Sequence, residues 1–153
     1  MKKLFTLLSI FTIVIGLNSC SSDDNDAIPA QGKSLEGTWE SYQVSYIAYD
    51  KDGNEVHKGT NYPFSSMPFG KDPIVLEEFI INDKQNVIFK EVSKSGVETT
   101  EKASIIDNKN IVFDNKDRES RVISNFTIAV LTLKYKMVLG DTYADMTVTY
   151  TKK

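Results

Sequence analysis

The sequence predicts an all-β domain: an antiparallel up-and-down meander of about eight or nine strands that closes into a barrel. Three observations predict it. Val, Ile, Thr, Tyr and Phe, which suit a pleated and half-buried surface, are abundant from Leu35 to Lys153. Apolar and polar residues alternate with period two in the clearest segments of that span. Clusters of Asp, Asn, Gly, Ser and Lys interrupt it at short intervals, and no long segment carries a helical period.

Trp39 to Tyr49 is the first predicted strand, with Tyr42, Val44, Tyr46 and Ala48 on one face and Ser41, Gln43 and Ser45 on the other. Asp50-Lys51-Asp52-Gly53-Asn54 is a turn in which Gly53 can take a positive φ, and a short strand over Glu55 to Lys58 returns from it. Gly59 to Pro73 breaks the pattern. Its prolines, Pro63, Pro68 and Pro73, forbid a central strand, yet Tyr62, Phe64, Met67 and Phe69 are too apolar to be left in water. This segment is expected to fold over one open end of the barrel, either as a gate or as a permanent plug.

From Ile74 the meander is regular. Ile74 to Asn82 pairs with Asn86 to Val92 across Asp83-Lys84-Gln85, and Ser93 to Gly96 turns into Val97 to Ile106. Asp107 to Asn110 leads into Ile111 to Asp114, and Asn115 to Glu119 into Arg121 to Ile128. The clearest alternation comes last. Leu131, Leu133, Tyr135, Met137 and Leu139 share one face; after Gly140-Asp141, Ala144, Met146, Val148 and Tyr150 do the same, with Thr and charged residues opposite. A barrel of this strand number encloses side chains or one small ligand.

The residues also restrict the chemistry. His57 is the only histidine and Cys20 the only cysteine, so metal sites built on those residues are excluded by count, and a Ser-His-Asp triad would have to use a histidine beside a turn. Asp50, Asp52 and Asn54 have the alternate spacing of a calcium loop without the rest of its pattern, and a hairpin turn is expected. Glu77 and Glu78 are adjacent on a strand, so they point to opposite faces and form no pair unless a partner comes from elsewhere. No Gly-rich phosphate loop is present, and the sequence implies no cofactor and no enzyme. Basic residues are not clustered, which disfavours a nucleic-acid partner.

Residues 1–19 read as a signal peptide: Lys2 and Lys3 precede an apolar run, Leu4 to Leu17, shorter than the roughly 20 residues of a membrane span. Losing Lys2 and Lys3 takes the net charge from −3 to about −5. Residues 20–34, opening Cys20-Ser21-Ser22-Asp23-Asp24-Asn25-Asp26, form an acidic leash with little to bury, where disorder is expected. Residues 35–153 are the folded domain.

Leu17-Asn18-Ser19-Cys20 resembles the bacterial lipobox. The resemblance implies acylation of Cys20, with palmitate or similar chains, and cleavage before it. Two or more chains hold a membrane for long times, since each buried methylene contributes about 0.8 kcal/mol. Cys20-Ser21-Ser22-Asp23-Asp24 is similar to the acidic export signal of surface-exposed lipoproteins of the Bacteroidetes, which implies an outer-membrane protein at the cell surface.

Leu35-Glu36-Gly37-Thr38-Trp39 resembles the Gly-x-Trp signature of lipocalins and the wider calycin barrels. Phe126 to Leu133 resembles the Leu-Thr-x-x-x-Leu portion of bacterial lipocalin-like lipoprotein domains. The likeness implies a lipocalin-like barrel with Trp39 closing one end. Two functions follow. One is a binding module taking a small apolar or amphipathic ligand into the barrel, with Tyr42, Tyr46, Phe64, Met67, Phe69, Tyr135 and Met137 as ligand-binding residues. The other is a filled barrel acting through its surface, as an envelope accessory with a protein partner. A carbohydrate-binding sandwich would need more exposed aromatics than a single Trp suggests.

Overall fold

A computed structural model describes residues 34–153; the expected signal peptide, Cys20 and the expected leash up to Lys33 lie outside the described residues. Nine strands follow in order: β1 (Gly37–Tyr49), β2 (Glu55–Pro63), β3 (Ile74–Ile81), β4 (Val87–Ser93), β5 (Glu98–Ile106), β6 (Asn110–Phe113), β7 (Arg121–Phe126), β8 (Val130–Leu139) and β9 (Thr142–Lys152). All pairings are antiparallel, from β1–β3 through each consecutive neighbour to β8–β9, and β9 pairs back along β1 from Trp39 to Tyr49. Eight strands thus close into a barrel and β2 is one strand beyond it. This is the closed antiparallel up-and-down architecture that the sequence predicted.

β1 holds the design together because its two halves have different partners. Gly37 to Glu40 pair with β3, whereas Gln43 to Tyr49 give the same edge to β2. The divergence occurs at Ser41, whose hydroxyl accepts the backbone N–H of Glu77 at 2.8 Å instead of a ladder bond. Here a bulge corrects the expected alternation. Ser41 pairs with Tyr150 and Gln43 with Thr149, so Tyr42 is an extra residue on β1 and the phase slips by one. Trp39 lies inward in one phase and Val44, Tyr46 and Ala48 in the next, while Tyr42 stands outside the wall, 58% exposed.

β2 is longer than the predicted Glu55 to Lys58. It reaches Pro63 because it is an edge strand, where a missing N–H at the last residue breaks no ladder. Gly59 lets it approach β1: a Cβ there would lie 2.5 Å from Cε1 of Tyr46. Between β2 and β3 the chain makes a 3-10 turn at Phe64–Ser66 that buries Phe64 and, just after it, Met67. Asp72 then accepts Ser95 N–H at 2.8 Å and the Ser95 hydroxyl at 2.5 Å, tying this strap to the β4–β5 turn.

The barrel is filled from its closed end. Trp39 is fully buried, its indole N–H donates to Leu35 carbonyl oxygen at 2.8 Å, and Phe126 packs edge-on at 5.7 Å. Above it Phe79, Phe89, Phe113 and Tyr150 form an aromatic layer with centroids 4.5–6.4 Å apart. The inward faces of β8 and β9 are those predicted, with Leu131, Leu133, Ala144, Met146, Val148 and Tyr150 all buried.

Candidate functional site

An ionic cluster sits on that aromatic layer. Glu77 on β3, Glu91 on β4, Glu101 on β5 and Arg121 on β7 occupy inward positions of their strands, in phase with Phe79, Phe89, Ala103 and Ile123. The fold therefore forces four charged side chains toward the interior, where each needs a partner. Arg121 meets Glu77 end-on, Nη1 to Oε2 at 2.5 Å and Nη2 to Oε1 at 2.8 Å. Its Nη1 also donates to the Tyr150 hydroxyl at 2.7 Å, and that hydroxyl donates in turn to Glu77. The Tyr135 hydroxyl reaches Glu77 Oε1 at 3.3 Å, while the guanidinium carbon lies 3.9 Å from the Tyr135 ring centre.

A second guanidinium, from Arg118 in the β6–β7 loop, closes the cluster toward solvent. Its two terminal nitrogens bind Glu91 at 2.8 and 2.7 Å, and its Nε lies 2.5 Å from Glu101 Oε2. Burial lowers the pKa of Arg121, but the carboxylate of Glu77 and the hydroxyls of Tyr150 and Tyr135 outweigh it and hold the group well above the ordinary arginine value. Burial, reinforced by Glu77, pushes both Tyr135 and Tyr150 well above the usual phenol range. Both shifts favour the protonated, hydrogen-bond-donating form of these phenols in the folded state.

Beyond the cluster the barrel opens as a cleft of about 340 Å³. Glu91, Arg121 and Tyr135 line it from within, Met137 and Val138 along β8, and Asn115 and residues 117–119 along the loop. Lys136 also borders it, but its ammonium lies 4.4 Å from the ring centre of Tyr143. The volume is near the lower end of the range for small-molecule sites.

The seven residues expected to bind ligand fall into three groups. Tyr135 and Met137 line the cleft. Tyr46, Phe64, Met67 and Phe69 are gathered elsewhere, beneath the strap: Phe69 packs edge-on to Tyr46 at 4.6 Å, and Phe64 and Met67 belong to the buried core. Tyr42 faces outward, so it joins neither group. The space above the aromatic layer is ionic rather than apolar. Glu77 finds its partner across the barrel in Arg121, which sequence reasoning missed. The signal was there: a charge standing in the apolar phase of a strand, as in Glu77-x-Phe79-x-Ile81 and Arg121-x-Ile123.

His57 is exposed at the edge, with Nδ1 3.0 Å from the Tyr46 hydroxyl. Asp50 to Asn54 form the expected turn: Asp50 Oδ1 accepts the backbone N–H of Asp52 and of Asn54, each at 2.9 Å. The Asn54 side-chain amide and these N–H groups hold the Asp50 carboxyl below its ordinary range.

No family model and no curated protein matches this chain. Among solved structures it is similar to apocrustacyanin C2 at 12% identity and a TM-score of 0.40. That likeness covers 77% of this chain and 60% of the other, less than two thirds of its length.

Proposed function

We propose that this chain is a non-enzymatic binding module, anchored in the outer membrane through acylated Cys20 and facing the cell surface, which takes a small amphipathic ligand at the mouth of its barrel. The observation that carries the ligand reading is the cleft itself, which ends on buried Arg121 and Glu91 and the partly buried Tyr135, with Met137 and the exposed Val138 beside it. Such a surface is mostly polar and charged, with Met137 and Val138 its aliphatic residues, and so suits a ligand held chiefly by polar contacts. The filled aromatic layer leaves the centre of the barrel to side chains, so the ligand sits above the ionic cluster. That same filling favours the second reading, an envelope accessory that acts through its surface on a protein partner.

One experiment separates them. Amide chemical shifts of the mature chain are followed while short-chain amphiphiles are added. Saturable changes confined to the cleft residues support the ligand reading, and unchanged spectra leave the accessory reading. For the anchor, mass spectrometry of the N-terminal peptide is expected to show acylated Cys20, and protease added to intact cells is expected to release the domain. An unmodified Cys20 refutes the anchor; cleavage only after the outer membrane is broken places the domain in the periplasm. Replacing Asp23, Asp24 and Asp26 by Ala tests the export signal, and unchanged exposure would reduce that segment to a spacer.

A further inference from the structure

The shortest ladder of the barrel joins β6 to β7. Those strands share two register pairs, Asn110 with Val122 and Ile111 with Arg121; toward the mouth, Val112 and Phe113 have no partner on β7. The 114–120 loop spans this gap, and every residue of it except Arg118 is exposed. Its backbone is tied to the wall at Asp114, whose N–H donates to the Lys102 carbonyl oxygen at 3.0 Å. Among the described residues, its other polar tie to the wall is the Arg118 side chain.

What Arg118 docks on is a built guanidinium site. Glu91 receives its two terminal nitrogens at 2.8 and 2.7 Å, and its guanidinium carbon stands 5.0 and 5.2 Å from the ring centres of Phe89 and Phe113. With Glu101 beside Nε, these residues belong to the adjacent strands β4, β5 and β6, so the site remains in the wall if the loop lifts. Arg118 fills it incompletely. Its Nε lies 2.5 Å from Glu101 Oε2 without hydrogen-bond geometry, and that buried oxygen has no hydrogen-bond partner among the described residues. The loop-borne side chain is aligned with Glu91 and not with Glu101.

Resting on the binding reading above, we infer that Arg118 is an internal ligand and that the head group of the external ligand is a guanidinium which takes its place. The charges select a cation. Arg121 has both terminal nitrogens on Glu77 and its Nη2 stands 3.9 Å from Glu91, so lifting Arg118 leaves Glu91 and Glu101 without a hydrogen-bonded counter-charge. An amide brings no charge to offset either carboxylate. An ammonium brings the charge without the planar fork. A free guanidinium supplies parallel donors to Glu91, a further donor that no loop restrains from turning to Glu101, and a flat face for the two Phe rings. The 114–120 loop then acts as a lid, released when Arg118 is displaced.

The test titrates hexylguanidinium, hexylammonium and hexanamide into the mature chain with Cys20→Ser, so that no acyl chain competes, and reads affinity from amide shifts. Hexylguanidinium is expected to bind at least about tenfold more tightly than the other two, the ratio set by one charge-assisted hydrogen bond, and to move the amides of 114–120 saturably. Arg118→Ala empties the site in advance. It is expected to bind hexylguanidinium at least about tenfold more tightly than the parent, in which the vacant site is a minor state. Hexylammonium or hexanamide binding as tightly would overturn the inference and spare the binding reading. So would hexylguanidinium binding with the loop amides unmoved, or with no gain in a folded Arg118→Ala protein. If Arg118→Ala does not fold, Glu101→Gln decides: weakened hexylguanidinium binding supports the inference, and unchanged binding overturns it. If no probe binds, the inference fails together with the binding reading.

Discussion

At the residue scale, Glu77 and Arg121 should prove inseparable. Glu77→Gln leaves a buried guanidinium without its counter-charge and is expected to cost about 3–5 kcal/mol in urea unfolding. The triple change Glu77→Leu, Arg121→Met and Tyr150→Phe removes both charges together with the buried hydroxyl bonded to them, and its stability is expected to match or exceed that of the parent. A variant as stable as the parent would show that the ion pair is not kept for stability. The phenols give a pH signature. Tyr135 and Tyr150 hold their protons more tightly folded than unfolded, so their contribution is complete below the unfolded phenol value of about 10 and is lost as pH rises above it. The urea midpoint should therefore fall above about pH 10, and absorbance titration should show at least two of the seven tyrosines ionising only with unfolding. Carboxylates in the turns act in the other direction. Hydrogen bonds from Ser95 and Ser93 hold Asp72 below its ordinary range, so its contribution is present above about pH 4 and disappears as pH falls.

At the element scale, the strap between β2 and β3 fills the place where β1 parts from β3. Phe64 is buried within the core, which favours the plug over the gate. Phe64→Ala is expected to destabilise by about 3–5 kcal/mol, and Phe69→Ala, only partly buried, by less. Because neither side chain lines the cleft, binding of a cleft ligand by the Phe69→Ala variant should be unchanged, as titration would show. Lost binding in a folded Phe69→Ala protein would restore the gate. Gly59→Ala tests the approach of β2 to β1. The new Cβ meets the Tyr46 ring, and a loss of about 1–3 kcal/mol is expected from forced overpacking. The bulge at Tyr42 was not legible in the alternation, because Tyr42 continues the phase of Tyr46 in the sequence and only pairing with β9 displaces it.

At the scale of the whole molecule, stability depends on the ends of the domain meeting. β9 lies between β8 and β1 along its length, and the Lys153 ammonium bridges Glu40 and Glu78. A chain ending before Thr142 leaves two unpaired edges and an open core; it is expected to lose its cooperative unfolding transition by circular dichroism. Trp39, the single tryptophan, is buried at the closed end. Its fluorescence should follow this global transition and stay unchanged when a ligand occupies the mouth.

The strands, their turns and their antiparallel order were determined by the sequence, because period-two alternation and turn chemistry are local. So were the inward faces of β8 and β9, where no bulge intervenes. Three things were decided only in the tertiary structure. Tyr42 was turned outward by pairing with a strand a hundred residues away in order of magnitude. Tyr46, Phe64, Met67 and Phe69 were separated from Tyr135 and Met137 by the way the strap packs. Glu77 was joined to Arg121 because barrel closure places inward positions of distant strands in one small space, where an unpaired charge is too costly to persist.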